Sequence, residues 1–187
     1  MGRAPVMGPA PRRFTPAQLA NGLAVLVSAV LVIMIVGEVV EIATHRDQLA
    51  FPLDGDRVLY IDAAANWLDG RGFYLPHQLA GPYEITSGDI LYPPPMLLVF
   101  APLSRLPDWL YYAIPLGITL AAVLWLRPVP VGWPAILFCL WWPTTIVVIA
   151  GGNPGIWLMA FMALGCVWRP ASVLVFLKPT LAPFALF

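Results

Sequence analysis

The stretch FTPAQLANGLAVLVSAVLVIMIVG, residues 14–37, contains 24 consecutive residues without a charge. About 20 apolar residues in a helix cross the hydrocarbon core of a bilayer. The whole chain has the same character, with 60% hydrophobic and 11% charged residues, against roughly half and a quarter in soluble domains. This composition excludes an ordinary soluble domain and predicts an all-α polytopic membrane bundle, because helices satisfy their own backbone in lipid.

A secretory signal peptide is the alternative interpretation of this first apolar run. Its length exceeds that of a signal h-region, and the following residues EIATHRD, 41–47, are a poor cleavage site. The sequence therefore predicts an uncleaved first span over residues 14–44, preceded by a cytoplasmic tail, residues 1–13.

Charges mark further spans downstream. Between Asp108 and Arg127 lie 18 uncharged residues, enough for a second span. Between Arg127 and Arg169 lie 41, about enough for two spans, and the segment GGNPG, residues 151–155, supplies the turn between them.

The last apolar run, PASVLVFLKPTLAPFALF, residues 170–187, starts a fifth span that we expect to be truncated. It carries Lys178, a residue that is costly at membrane depth and so indicates either a function inside the bundle or snorkelling to the cytoplasmic face. Residues 107–187 are thus expected to hold spans two to five.

Basic residues set the orientation. With alternating spans, one side of the membrane receives the arginines at the ends of the spans: Arg3, Arg12, Arg13, Arg127 and Arg169. The positive-inside rule makes that side cytoplasmic. The loop 45–94 then lies outside the cell; its part up to residue 90 carries seven acids against three arginines, a net charge of −4.

Two helices are predicted at the outer membrane face. Residues 54–74 read as a short amphipathic helix, with Val58, Ile61, Ala65 and Leu68 at helical spacing. The run YPPP, residues 92–95, opens an interfacial helix over 95–106, because proline in a first helical turn leaves no donor unpaired.

Several motifs then follow in a characteristic order. Asp56 precedes Tyr60 by four residues, and further segments follow at set distances from the spans: GRGFY (70–74), YPP (92–94), PLSRLP (102–107), AGGNPGIWLMAFMALG (150–165) and LVFLKPTLAPF (174–184). Together they resemble the integral-membrane glycosyltransferases of the GT-C superfamily. The nearest resemblance is to the bacterial polyprenyl-phosphate-mannose-dependent α-mannosyltransferases, glycosyltransferase family 87, of which the chain resembles the N-terminal part.

The resemblance implies an inverting enzyme in a bacterial plasma membrane. It would transfer a sugar, mannose by analogy, from a polyprenyl-phosphate carrier to a hydroxyl of a lipid or glycan acceptor on the outer face. The position of Asp56 matches the general base of the family, although from local sequence alone a helix cap is the commoner role. Asp54, in the same DGD triplet, is the rival base.

Six other residues are candidates for contact with the substrates. Lys178 could meet the carrier phosphate. Arg105, Arg71 and His77 could also contact it, although a surface position is the commoner role of each. Asn153 could cap a helix or help present its N-terminal amides to a phosphate or sugar. Tyr92 could stack on a sugar or anchor the chain at the interface.

The sequence predicts no metal, no cofactor and no nucleic-acid partner. It has no P-loop, His-Cys cluster or basic patch, and the family's monophosphate donors need no divalent ion. A non-catalytic membrane subunit or truncated remnant that binds lipid carrier or a partner protein is the alternative function. A transporter fits less well, because the acids cluster in the outward loop.

Overall fold

The computed structural model describes residues 14–46, 53–81 and 84–178, and these ranges contain helices but no strand. The prediction of an all-α chain is therefore confirmed for this part of the sequence. The predicted tail 1–13 and residues 179–187 of the predicted fifth span lie outside the described residues.

Eight α-helices lie in the described ranges, joined by turns and short 3₁₀ segments. They are α1 (Pro16–Thr44), α2 (Gly55–Leu68), α3 (Pro76–Ala80), α4 (Leu97–Leu103), α5 (Leu110–Leu126), α6 (Trp133–Trp141), α7 (Pro143–Ala150) and α8 (Gly155–Val167). The 3₁₀ segments are Pro94–Met96, Pro130–Gly132 and Arg169–Leu177.

Helix α1 begins at a capping box. The Thr15 hydroxyl accepts from the backbone N–H of Gln18, and the Gln18 side chain accepts from the N–H of Thr15. The helix packs against α6, and only Ala24 and Leu31 are buried along its length. Among the described helices it is the one long and apolar enough to cross a membrane by itself. Both membrane anchors and signal sequences form a long apolar helix of this kind near the N-terminus.

The other predicted spans are shorter or broken. Helix α5 has 17 residues and α8 has 13. The 3₁₀ turn Pro130–Gly132 with α6 reaches the length of a span only together with α7, and this pair is bent by 57°. The bend falls at Trp142, whose ψ of 129° is extended because Pro143 follows it. The sequence prediction placed no break here.

The end of the described chain also differs from the prediction. Residues Arg169–Leu177 form a 3₁₀ segment rather than the start of a regular α-helical span, and this segment packs against α8. The turn predicted at 151–155 is present, since α7 ends at Ala150 and α8 begins at Gly155.

The loop helices lie close to their predicted positions. Helix α2, Gly55–Leu68, lies within the predicted segment 54–74, and the helix predicted over 95–106 is the Pro94–Met96 turn continued by α4. The predicted apolar face of α2 is not the buried one, because Val58 and Leu68 are exposed whereas Tyr60 is buried. Asp54 occupies the N-cap position of α2 with a left-handed φ of 64°, but its side chain makes no capping hydrogen bond. The short helix α3 was not predicted.

A line of aromatic rings forms the core between α2, α4, α5 and α8. Tyr60 lies 5.4 Å from Phe100, Phe100 lies 6.4 Å from Tyr111, and Tyr111 lies 6.1 Å from Trp157, measured between ring centroids. All four side chains are buried. Aromatic pairs at these distances add about 0.5–1.5 kcal/mol each beyond their buried area, so they fix the four helices relative to each other.

The N-terminus of α2 docks on the C-terminus of α7. The N–H groups of Asp54 and Asp56 donate to the carbonyls of Ala150 and Gly151, each over 2.9 Å. Gly152 makes this approach sterically feasible. Its φ is +71°, and a Cβ there would lie 2.7 Å from Arg57 Cβ and 2.7 Å from Tyr112 Oη.

Helix α3 clamps the loop before the interfacial helix. The Gln78 side chain accepts from the N–H of Ile90 and donates to its carbonyl. His77 Nε2 lies 2.6 Å from Asp89 Oδ1, and the N–H of Thr86 donates to Asp89 Oδ2 over 2.6 Å. This pairing satisfies the buried Asp89 carboxylate.

Replacing Gly152 with alanine should destabilise the protein more than the same change at Gly70. Gly70 has a similar φ of +78° but open space around it, so Gly70→Ala carries only the left-handed backbone cost of about 1–2 kcal/mol. Gly152→Ala adds overpacking of about 1–3 kcal/mol. Thermal unfolding in detergent micelles measures both variants; equal losses of Tm would show that the junction is looser than described.

The Asp89 clamp should give a pH-dependent contribution to stability. The Thr86 N–H, together with His77, holds the pKa of Asp89 below its ordinary 3.8. A lowered pKa stabilises the fold above the unfolded pKa, and this contribution disappears as the pH falls through the folded pKa.

We therefore expect wild type to exceed Asp89→Asn in Tm above about pH 5 and to lose this advantage below about pH 3.8. Asp62→Asn, at an exposed position of α2, is the control and should show no such trend. A difference in Tm between wild type and Asp89→Asn that stays constant from pH 7 to pH 3 would contradict this role.

Candidate functional site

A cavity of about 760 Å³ lies where α2, the α7–α8 turn and the loop before α4 meet. Four of the residues predicted for the site line it: Asp56, Tyr92, Asn153 and Lys178. They come from positions up to 122 residues apart in the sequence (178 − 56 = 122). The structure thus brings together residues that the sequence connected only through their motifs.

Asp56 stands in the first turn of α2, where its backbone is held by the bond to Gly151. Its Oδ2 accepts a hydrogen bond of 2.6 Å from Asn153 Nδ2. Asp56 Oδ1 has no hydrogen-bond partner within residues 14–46, 53–81 and 84–178, and the residue lines the cavity. One carboxylate oxygen is therefore oriented by the protein, and the other is available to a ligand.

Asn153 sits in the turn between α7 and α8. Its Oδ1 accepts from the N–H of Gly155 over 2.9 Å, which pairs one of the open amides at the start of α8. The same oxygen accepts from the Tyr92 hydroxyl over 3.3 Å. Asn153 therefore contacts a helix end, a tyrosine and the Asp56 carboxylate with a single amide.

Tyr92 and Lys178 also line the cavity and contact each other. Lys178 Nζ lies 3.5 Å from the Tyr92 hydroxyl and 5.1 Å from the centroid of its ring, a cation–π geometry. Burial raises the pKa of Tyr92, and nearby Tyr60 and Asp56 act in the same direction. The phenol therefore keeps its proton at neutral pH and serves as a donor.

The cavity walls differ in polarity. Thr86, Ser87 and Gly88 of the loop contribute polar groups to the lining, called the polar rim below, and Val147 and Val148 of α7 contribute an apolar part, called the apolar wall. A ligand that carries both hydroxyl groups and a hydrocarbon part matches this division.

Asp54, the predicted rival base, does not line the cavity. Arg57 Nε donates to both carboxylate oxygens of Asp54 over 2.6 and 2.7 Å, and the Tyr112 hydroxyl donates to Asp54 Oδ1. Arg57 Nη1 also pairs with Asp108 over 2.9 Å. The bond with Asp54 raises the pKa of Arg57 despite its burial. Asp54 therefore belongs to an ion-pair network that braces α2 against α5.

The remaining predicted cations also lie outside the cavity. Arg105 is exposed on the turn after α4. Arg71 donates to the Asn66 side chain and pairs with Asp69, and His77 belongs to the Asp89 clamp. Of the predicted phosphate contacts, Lys178 is the one that lines the cavity.

The two acids of the DGD triplet take different partners, so they do not form a metal pair. Asp54 binds Arg57, whereas Asp56 binds Asn153. In the described part of the chain, no group of three or more His, Cys, Asp or Glu residues is placed to hold a metal ion.

Sequence reasoning missed the polar rim and the brace. The TSGD turn, residues 86–89, carried a usable signal, because serine, glycine and aspartate are typical turn residues. Tyr112 gave no local signal, since its hydroxyl reaches Asp54 across 58 residues.

Comparison of the chain with models of protein families, with curated proteins and with solved structures finds no match.

Proposed function

We propose that the chain is a polytopic membrane glycosyltransferase that moves a sugar from a polyprenyl-phosphate carrier to an acceptor hydroxyl at the outer membrane face. The observation that supports this most is the convergence of Asp56, Asn153, Tyr92 and Lys178 on one cavity. These residues come from the segments that resemble the GT-C enzymes. A carboxylate and an ammonium in one cleft match the two charges that the reaction moves.

Asp56 is the general base of this reaction. Its Oδ1 accepts the proton of the acceptor hydroxyl while the acceptor oxygen bonds to the anomeric carbon of the sugar. The bond from that carbon to the phosphate oxygen breaks, the oxygen keeps the electron pair, and polyprenyl phosphate leaves. Attack opposite the leaving group inverts the anomeric configuration. An ordinary carboxylate suffices when proton transfer is late.

Lys178 stabilises the charge that develops on the departing phosphate. A preorganised cation at the leaving group is worth most in a site that excludes water. Its contact with the Tyr92 ring and hydroxyl holds the ammonium at the cavity. The apolar wall formed by Val147 and Val148 offers a path for the start of the polyprenyl tail.

The membrane arrangement belongs to the same proposal. Helix α1 anchors the chain, the bent pair α6–α7 forms one broken span, and α5 and α8 complete the bundle, with the cavity at the outer face. Broken helices are tolerated at membrane depth where they line a cavity, and α7 does so through Val147 and Val148.

Asp56→Asn should lower kcat for sugar transfer by about 100-fold or more, because a positioned general base contributes roughly 10²–10⁴. The assay measures mannose transfer from polyprenyl-phosphate-mannose to membrane acceptors by the purified, reconstituted protein. Asp62→Asn, on the same helix but exposed, is the matched control and should keep wild-type activity.

Two results would contradict the proposal. Equal transfer by wild type and Asp56→Asn would exclude Asp56 as the base. Wild-type protein that binds the polyprenyl-phosphate sugar but transfers nothing would favour the non-catalytic carrier-binding subunit.

Lys178→Met should raise the KM for the polyprenyl-phosphate donor and lower kcat, because it removes the cation at the phosphate. Lys178→Arg keeps the charge and should retain more activity than Lys178→Met. The acceptor KM should change little in either variant. Identical donor kinetics in wild type and Lys178→Met would place the phosphate elsewhere.

A further inference from the structure

We propose that Asn153 is a positioning residue that orients the Asp56 carboxylate, rather than a residue that binds substrate. This inference rests on the proposed function, because it concerns the base of that reaction. The observation that supports it is a chain of three hydrogen bonds at the cavity, from Lys178 through Tyr92 and Asn153 to Asp56.

The direction of every bond in this chain is determined by its ends. An ammonium group can only donate, and an ionised carboxylate can only accept. Lys178 therefore donates to the Tyr92 oxygen, the Tyr92 hydroxyl donates to Asn153 Oδ1, and Asn153 Nδ2 donates to Asp56. Bonds that run in one direction polarise each other and strengthen the chain.

A second contact determines which way the Asn153 amide faces. The backbone N–H of Gly155 can only donate, and it lies 2.9 Å from Asn153 Oδ1. The oxygen of the amide therefore faces α8, and its NH₂ group faces Asp56. A flipped amide would place its NH₂ against the Gly155 donor and its oxygen against the Asp56 carboxylate, which are two repulsive contacts.

The backbone around Asn153 is held in place as well. Its N–H donates to the carbonyl of Val148 over 2.9 Å, and the buried Pro154 follows it. A fixed amide fixes Asp56 Oδ2, so the rotamer of the carboxylate is set before substrate binds. Asp56 Oδ1 then points its lone pairs at the acceptor, and about 1 Å of misplacement in such a site can cost 10²-fold in rate.

Asn153→Ser separates this role from helix capping. Serine offers an oxygen that can accept from Gly155 at the start of α8, but it lacks the NH₂ donor that orients Asp56. A residue that only caps α8 would tolerate this change, whereas a positioning residue would not.

We expect kcat for sugar transfer to fall about 10- to 100-fold in Asn153→Ser, while the KM values for donor and acceptor stay within about threefold of wild type. Loss of an interaction that matters only in the transition state lowers kcat without raising KM. Tyr92→Phe, which keeps the ring and removes the hydroxyl that helps to fix the amide, should show a smaller fall in kcat.

The decisive measurement is a double-mutant cycle with Asp56→Asn. If Asn153 acts through Asp56, then Asn153→Ser should cause no further loss of kcat in the Asp56→Asn background. Thermal unfolding of each variant in micelles controls for folding. If Asn153→Ser fails to fold, the same double-mutant cycle is measured with Tyr92→Phe and Asp56→Asn.

The outcomes distinguish the two proposals. A raised KM with unchanged kcat in Asn153→Ser would assign Asn153 to substrate binding and overturn this inference alone. Additive losses in the cycle would do the same. Equal transfer by wild type and Asp56→Asn, or no transfer by wild type, would overturn the proposed function and this inference with it.

Discussion

The first amides of α2 donate to the last carbonyls of α7, from Asp54 to Ala150 and from Asp56 to Gly151. Both helix ends carry backbone groups without an intrahelical partner, and unpaired groups of this kind are costly in an apolar environment. The positive end of one helix dipole also meets the negative end of another. This docking sets the position of α2 against the α7–α8 turn, and the cavity lies at that contact.

The two acids at this junction have different environments because they leave the chain in different directions. Side chains two residues apart at a helix start do not share a face. Asp54 meets Arg57 and Tyr112 and braces α5, whereas Asp56 meets Asn153 at the cavity. Gly152 makes both contacts compatible, since any side chain there would collide with Arg57. A structural ion pair and a candidate base therefore stand two residues apart without competing.

The aromatic core links this junction to the loop. Tyr60 belongs to α2, packs edge-on against Tyr92 at 5.2 Å, and accepts from the N–H of Leu91. The α3 clamp on Asp89 holds the other end of the same loop segment. The rim and the Tyr92–Lys178 side of the cavity are therefore connected to the same packed core as Asp56.

The sequence alone determined the features that depend on near neighbours: the apolar length of α1, the presence of helix α2, the proline start of the helix that continues into α4, and the turn at residues 151–155. It also nominated Asp56, Tyr92, Asn153 and Lys178. Only the tertiary structure placed Asp56 rather than Asp54 at the cavity, bent the chain at Trp142, and joined Asn153 to Asp56 across 97 residues. Local patterns report helix formation and burial, whereas hydrogen-bond partners so far apart depend on how helix ends meet.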